Sequence, residues 1–130
     1  MTEAGDGRRP VAIIADDEPD IRELLAVLLT RAGYDVHEAA DGEEALCLAR
    51  EHHPAVAVLD VRMPRLDGYE TTRALRADPS TTDMKVVILT ASVRDSERLH
   101  ALAAGADLYL RKPFGGRDLA RRIRELVEGG

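Results

Sequence analysis

Four short apolar runs stand out along the chain: Val11–Ala15, Ala55–Leu59, Val86–Leu89 and Leu108–Leu110. Polar chemistry follows each of them, as Asp16-Asp17, Asp60, Thr90 and Lys112 in turn. Runs this short and free of charge suit strands covered on both faces, as in a parallel sheet. Between them the spacing becomes helical. Ile21, Leu24, Leu25, Leu28 and Leu29 line one helix, with Pro19 in its first turn and Gly33 closing it. Tyr34–Glu38 predicts a short second strand, and Asp41-Gly42 opens a helix carrying Ala45, Leu46 and Ala49 that stops before Pro54. After the loop Val61–Asp67, a third helix runs from Gly68 to Ala77 and is broken by Asp78-Pro79. A fourth strand covers Lys85–Leu89, and a helix over Asp95–Ala104 is flanked by Gly105. The last helix, beyond Pro113, bears Leu119, Ile123, Leu126 and Val127.

Strict alternation of five strand–helix units predicts an α/β fold with a parallel sheet, helices on both faces and right-handed crossovers. Five units are too few for a closed eight-unit barrel, so an open, doubly wound five-stranded sheet is expected. In such sheets the ligand crevice lies beyond the carboxyl ends of the strands. Asp16, Asp17, Asp60, Thr90 and Lys112 all fall there.

Composition narrows the function classes. With 130 residues, 45% apolar and 32% charged, the chain can bury a core as one domain. We expect a loose tail over residues 1–10, polar and without the apolar stretch of a signal peptide, and one domain over residues 11–128. No apolar run approaches bilayer-spanning length, so no membrane association is expected. A net charge of −6 and only four aromatic residues, Tyr34, Tyr69, Tyr109 and Phe114, disfavour direct nucleic-acid binding. The single cysteine, Cys47, excludes an internal disulfide, reads as an inert thiol and fits a cytoplasmic location.

Asp16-Asp17 could serve simply as helix caps, but one helix end needs one cap. Asp60 is harder to place structurally. It ends the most apolar strand, where an unpaired carboxylate is costly. Lys112 is the available cation, and Lys85 is the chain's other lysine. Two carboxylates about 4 Å apart repel by roughly 4 kcal/mol at an effective dielectric near 20, so converging acids ask for a divalent cation or a shifted pKa. Hard oxygen ligands favour Mg²⁺. Zinc is disfavoured, because His37, His52, His53 and Cys47 lie away from this rim, with His52-His53 expected as a solvated helix end.

Ile14-Ala15-Asp16-Asp17-Glu18-Pro19, Leu59-Asp60-Val61-Arg62-Met63-Pro64 with Asp67-Gly68, Leu89-Thr90-Ala91 and Tyr109-Leu110-Arg111-Lys112-Pro113-Phe114 occur in a fixed order and spacing. Together they make the chain, from Val11 to Val127, resemble the response-regulator receiver domains of two-component signalling, including the chemotaxis regulators. The resemblance implies a flavodoxin-like sheet of order 2-1-3-4-5. It implies that Asp60 is the phospho-acceptor and that Asp16 (partly through water), Asp17, Asp60 and the backbone carbonyl of Arg62 hold Mg²⁺. Lys112 would contact the phosphoryl oxygens, Thr90 would donate its hydroxyl, and Thr90 with Tyr109 would form the switch. That switch would reshape the surface of the fourth helix, fifth strand and fifth helix. A cis Lys112–Pro113 peptide is implied as well.

The implied partners are a histidine kinase or phosphotransfer protein, a downstream effector or output domain, and a second copy through the switch surface. The chain would be a signalling receiver that catalyses only its own phosphorylation and dephosphorylation. Arg62 and Ser92 occupy the positions that tune phosphoryl loss in this family. Gly115-Gly116 replaces a stronger cap, and Leu108 replaces an acid common in dimerising winged-helix regulators. Arg117, Arg121, Arg122 and Arg124 read as a solvated helix face. Two other classes compete. An aspartyl-nucleophile phosphatase would want an acid where Arg62 stands. A nucleotide-binding module would want a glycine-rich loop where Asp16-Asp17 stand.

Overall fold

The computed structural model describes residues 9–91, 95–112 and 114–129. The expectations for most of the N-terminal tail, for Ser92 and for the Lys112–Pro113 peptide lie outside the described residues. Five strands and five helices alternate: β1 Val11–Ala15, α1 Pro19–Arg31, β2 Asp35–Ala39, α2 Gly42–His52, β3 Val56–Asp60, α3 Gly68–Ala77, β4 Lys85–Thr90, α4 Asp95–Ala104, β5 Leu108–Arg111 and α5 Gly116–Gly129. All pairings are parallel, and the sheet runs β2-β1-β3-β4-β5, the expected 2-1-3-4-5 order.

Successive strand residues point to opposite faces, so the sheet feeds two cores. On one face Ile13, Ala57, Leu59, Val86 and Ile88 pack with Ala45, Leu46 and Ala49 of α2, Tyr69 and Leu75 of α3, and Ala101 and Ala104 of α4. On the other, Ala12, Ile14, Val56, Val58, Val87 and Leu89 pack with Leu25 and Leu29 of α1 and Leu119 and Ile123 of α5.

The sequence boundaries shift by a residue at several strand ends, and the ladder explains why. Asp60 and Thr90 are themselves paired, Asp60 opposite Leu89 and Thr90 opposite Arg111. The pairing runs on beyond them, with the Val61 amide donating to the Leu89 carbonyl and the Lys112 amide to the Thr90 carbonyl. Tyr34 belongs instead to the end of α1. Its amide donates to the Leu29 carbonyl, and Gly33 takes a left-handed φ of 106° that a side chain would resist.

One reading needs correcting. His53 is an exposed left-handed cap on α2, but His52 is half-buried, its ring stacked on that of His37 at 3.9 Å. Apolar contact between imidazoles, reaching from α2 to β2, outweighs solvation of this helix end. Gly116 also does more than soften a cap: a Cβ there would lie 2.8 Å from Cδ2 of Leu28, so α5 seats closely on α1.

Candidate functional site

Asp16 stands one residue past β1, still bound to the sheet through its amide on the Ala39 carbonyl at 3.2 Å. It does not cap α1. That role falls to Glu18, whose side chain makes no capping hydrogen bond. Instead Oδ1 of Asp16 accepts from the Glu18 amide at 2.9 Å, and its carbonyl accepts from Arg22 at 2.7 Å. These bonds orient a carboxylate that is fully buried. Asp60, at the end of β3, is buried beside it, whereas Asp17 is exposed. Each of the three offers an oxygen within 4.8 Å of the others.

Lys112 enters from beyond β5. Its Nζ lies 3.1 Å from Oδ2 of Asp16 and 3.2 Å from Oδ1 of Asp60, with Glu18 at 3.8 Å. One ammonium therefore faces more negative charge than it can neutralise. Burial first, and then the nearby charge of Asp16, pushes the Asp60 carboxyl up to about 6, although Lys112 pulls the other way. Burial alone would lower the Lys112 pKa. The hydrogen bond to Asp16 and the charges of Asp60 and Asp16 outweigh it and hold the ammonium above its ordinary value.

Thr90 ends β4 and is buried. On neighbouring β5 the Tyr109 hydroxyl is also buried and has no hydrogen bond of ordinary geometry. Its pKa is raised by burial, while the adjacent Thr90 hydroxyl acts to lower it. The two predicted switch residues therefore face each other already. Arg62 is exposed and lines an open cavity of about 480 Å³ with Asp17, Met63, Asp67, Tyr69 and Glu97.

The structure thus gathers Asp16, Asp17, Asp60 and Lys112 at one point, with Thr90 and Tyr109 paired nearby and Arg62 beside Asp17 at the mouth. Sequence reasoning missed two features. Glu18 adds a further carboxylate near Lys112. Tyr69 donates to the Glu97 carbonyl at 3.3 Å, stacks obliquely near His100 and is pushed up to about 12, by burial first and then by Glu97. The acid after Asp16-Asp17 was the available signal for the first. The second depends on how α3 and α4 approach and had no local signal. A second cavity of about 430 Å³, bordered by His53, Pro54, Asp83, Lys85 and Val127, lies at the amino ends of β3 and β4 and holds none of this chemistry.

An acid cluster bridged by one ammonium has the donor set for a divalent metal and a cation suited to a charged oxyanion. Comparison with known proteins agrees with that reading. Residues 12–124 match the family model described as the response regulator receiver domain. Response regulator MprA of Mycobacterium sp. (strain KMS) is 46% identical over 119 residues, which cover 91% of this chain and 51% of that protein. The DNA-binding dual master transcriptional regulator RpaA of Synechocystis sp. is 37% identical over 118 residues, covering 91% and 49%. The chain spans about half the length of these curated relatives.

Among solved structures, the Francisella response regulator 1452 receiver domain superposes with a TM-score of 0.85 at 32% identity, covering 92% of this chain and 98% of that one. The receiver domain of sensor histidine kinase PA1611 from Pseudomonas aeruginosa PAO1, solved with a magnesium ion in its active-site cleft, gives 0.86 at 30% identity, covering 93% and 99%. Sheet order, acid pocket and sequence match converge: the chain belongs to the response regulator receiver domains of two-component signalling, whose work is to relay a signal rather than to turn over metabolites.

Proposed function

We propose that Asp60 accepts a phosphoryl group from a phosphohistidine, or from a small acyl phosphate, in a Mg²⁺-dependent step. The observation that carries this reading is the Lys112 ammonium shared between Asp16 and Asp60, with a third carboxylate within reach. Asp16, Asp17 and Asp60, with the Arg62 carbonyl, would hold the ion. The three carboxylates fit it: they are hard oxygen donors, and one of them is fully buried with too little positive charge around it. Bound there, Mg²⁺ supplies charge neutralisation and draws electron density from the phosphoryl oxygens.

In the step itself an Asp60 oxygen bonds to phosphorus as the P–N bond to the donor histidine breaks, and the imidazole leaves with its electron pair. Lys112 turns from the two carboxylates toward a phosphoryl oxygen. Thr90 donates its hydroxyl to another, and Tyr109 follows it. That movement alters the surface formed by α4, β5 and α5, where an effector, an output domain or a second copy would dock. A free receiver and a phosphorylated one then differ in contact energy, as a population shift requires.

A receiver domain implies a histidine kinase as its partner. We infer that residues 11–128 are the phospho-accepting unit and that transcriptional output, by analogy with the relatives' names, comes from a separate DNA-binding part. No helix among the described residues is long and apolar enough to cross a membrane. A cytoplasmic site of action goes with a kinase donor. The exposed Arg62 at the position of a phosphatase's second acid argues against the turnover enzyme.

The test is phosphorylation by a small acyl phosphate with Mg²⁺. Wild type gains a hydroxylamine-labile phosphoryl group, and Asp60→Asn, still folded, gains none. Labelling of the variant would sink the assignment.

A further inference from the structure

Gly68 is the first residue of α3 and is buried. A Cβ at this position would lie 2.5 Å from the carbonyl oxygen of Asp60, 3.2 Å from its carbonyl carbon and 3.1 Å from Cα of Val61. All three neighbours are main chain, which cannot rotate aside as a side chain would. The backbone here is not left-handed, so the requirement for glycine is one of space alone. The contact is also pinned from both sides. The Gly68 amide donates to the Val61 carbonyl at 2.9 Å, and the Val61 amide donates to Leu89 of β4 at 3.2 Å.

The first turn of α3 is stiff enough to matter. Asp67 and Glu70 form a reciprocal capping box, and Thr72 Oγ1 donates to the Gly68 carbonyl at 2.7 Å. The peptide unit after Asp60 is therefore held between a helix start and a sheet strand. Wherever that unit sits, the Asp60 carboxylate and the loop carrying Arg62 must follow.

We propose that Gly68 is a positioning residue for the phosphoryl-accepting carboxylate. By lacking a side chain it lets α3 seat directly on the Asp60 main chain and so sets the distance of Asp60 from Asp16 and Asp17. The inference rests on the acceptor role given to Asp60 above.

Gly42 supplies a matched control. A Cβ there would meet the Thr71 side chain of α3 and immovable backbone, the Leu66 carbonyl oxygen at 2.5 Å, so it crowds α2 against α3 and the loop before it, with neither contact on the Asp60 main chain. The experiment measures Mg²⁺ affinity by calorimetry, phosphorylation rate against acyl-phosphate concentration, and Tm for wild type, Gly68→Ala, Gly42→Ala and Glu70→Ala. Gly68→Ala is expected to weaken Mg²⁺ at least tenfold and to lower the maximal phosphorylation rate by a similar factor. Gly42→Ala is expected to lose comparable Tm while holding Mg²⁺ within twofold of wild type.

Wild-type affinity and rate in Gly68→Ala would overturn the proposal, and so would an equal loss in Gly42→Ala. Should Gly68→Ala not fold, Glu70→Ala decides. Glu70 is exposed, and its removal loosens the same turn, with an expected two- to threefold loss of Mg²⁺ affinity. No change there would overturn the proposal. A wild type that takes up neither Mg²⁺ nor phosphoryl would overturn the acceptor reading itself, and this inference with it.

Discussion

Arg76 and Lys112 are both partly buried cations, one on α3 and one just beyond β5, and they are held in opposite ways. Arg76 of α3 donates to the carbonyls of Gly105, Thr82 and Met84 and to the Asp107 carboxylate. Asp107 in turn accepts from the Val86 amide at 2.9 Å. The guanidinium's fork is filled by fixed backbone oxygens, and it rivets α3 to the start of β4 and the turn before β5. Among the described residues, the Lys112 ammonium meets three carboxylates, those of Asp16, Asp60 and Glu18. A cation whose partners are saturated and immobile serves the fold. One that faces surplus negative charge is, on the proposed function, the cation to be handed to a ligand.

The comparison can be broken in three ways. The largest effect is expected for Arg76→Met, which strands Asp107 and three carbonyls. We expect a loss of about 3 kcal/mol, toward the lower end for a broken pair because Arg76 is not wholly buried. Denaturant unfolding with and without Mg²⁺ should give the same loss. Recovery with Mg²⁺ would erase the distinction.

Next comes pH. The folded Asp60 carboxyl titrates at about 6, above the ordinary 3.8. Between these values the folded protein keeps a proton that the unfolded chain has lost. Stability of the metal-free protein therefore falls as pH rises from about 4 to about 6, by at most about 3 kcal/mol. Asp60→Asn should flatten that slope in urea titrations across the window, and an unchanged slope would place the shifted proton elsewhere.

The smallest effect is Lys112→Met in metal-free protein at neutral pH. About 1–2 kcal/mol should go, because Asp60 can take up a proton in place of the ammonium. Millimolar Mg²⁺ should restore the stability by binding only the folded state, which thermal melts would detect. A loss that Mg²⁺ leaves untouched would make Lys112 a rivet like Arg76.

Much of the acid pocket was legible in the chain because strand ends are local features. An apolar run that stops at Asp60 or Thr90 already says which rim receives the group, and parallel pairing does the gathering. The fold order followed from the resemblance rather than from periodicity. Arg76 was not legible. Gly105 and Asp107 lie 29 and 31 residues further along the chain, and nothing in Arg73–Ala77 distinguishes Arg76 from Arg73, which is exposed. The stacking of His52 on His37 was hidden for the same reason, since it depends on the angle at which α2 crosses β2. In the sequence Gly68 is part of the Asp67-Gly68 motif and a helix start, with no role of its own. Its closeness to Asp60 appears only once the loop has folded back on the strand.

The two cores on either side of the sheet carry one last implication. Tyr109 packs into the core with α2, α3 and α4, while its strand neighbours Leu108 and Leu110 pack into the one beneath α1 and α5. On the proposed switch, a turn of the tyrosine would start on the flank that carries α4 and reach α5 only through the strand between them. A listener docked where α4, β5 and α5 meet would then read a changed silhouette, while the cover over α1 would keep an unaltered handshake.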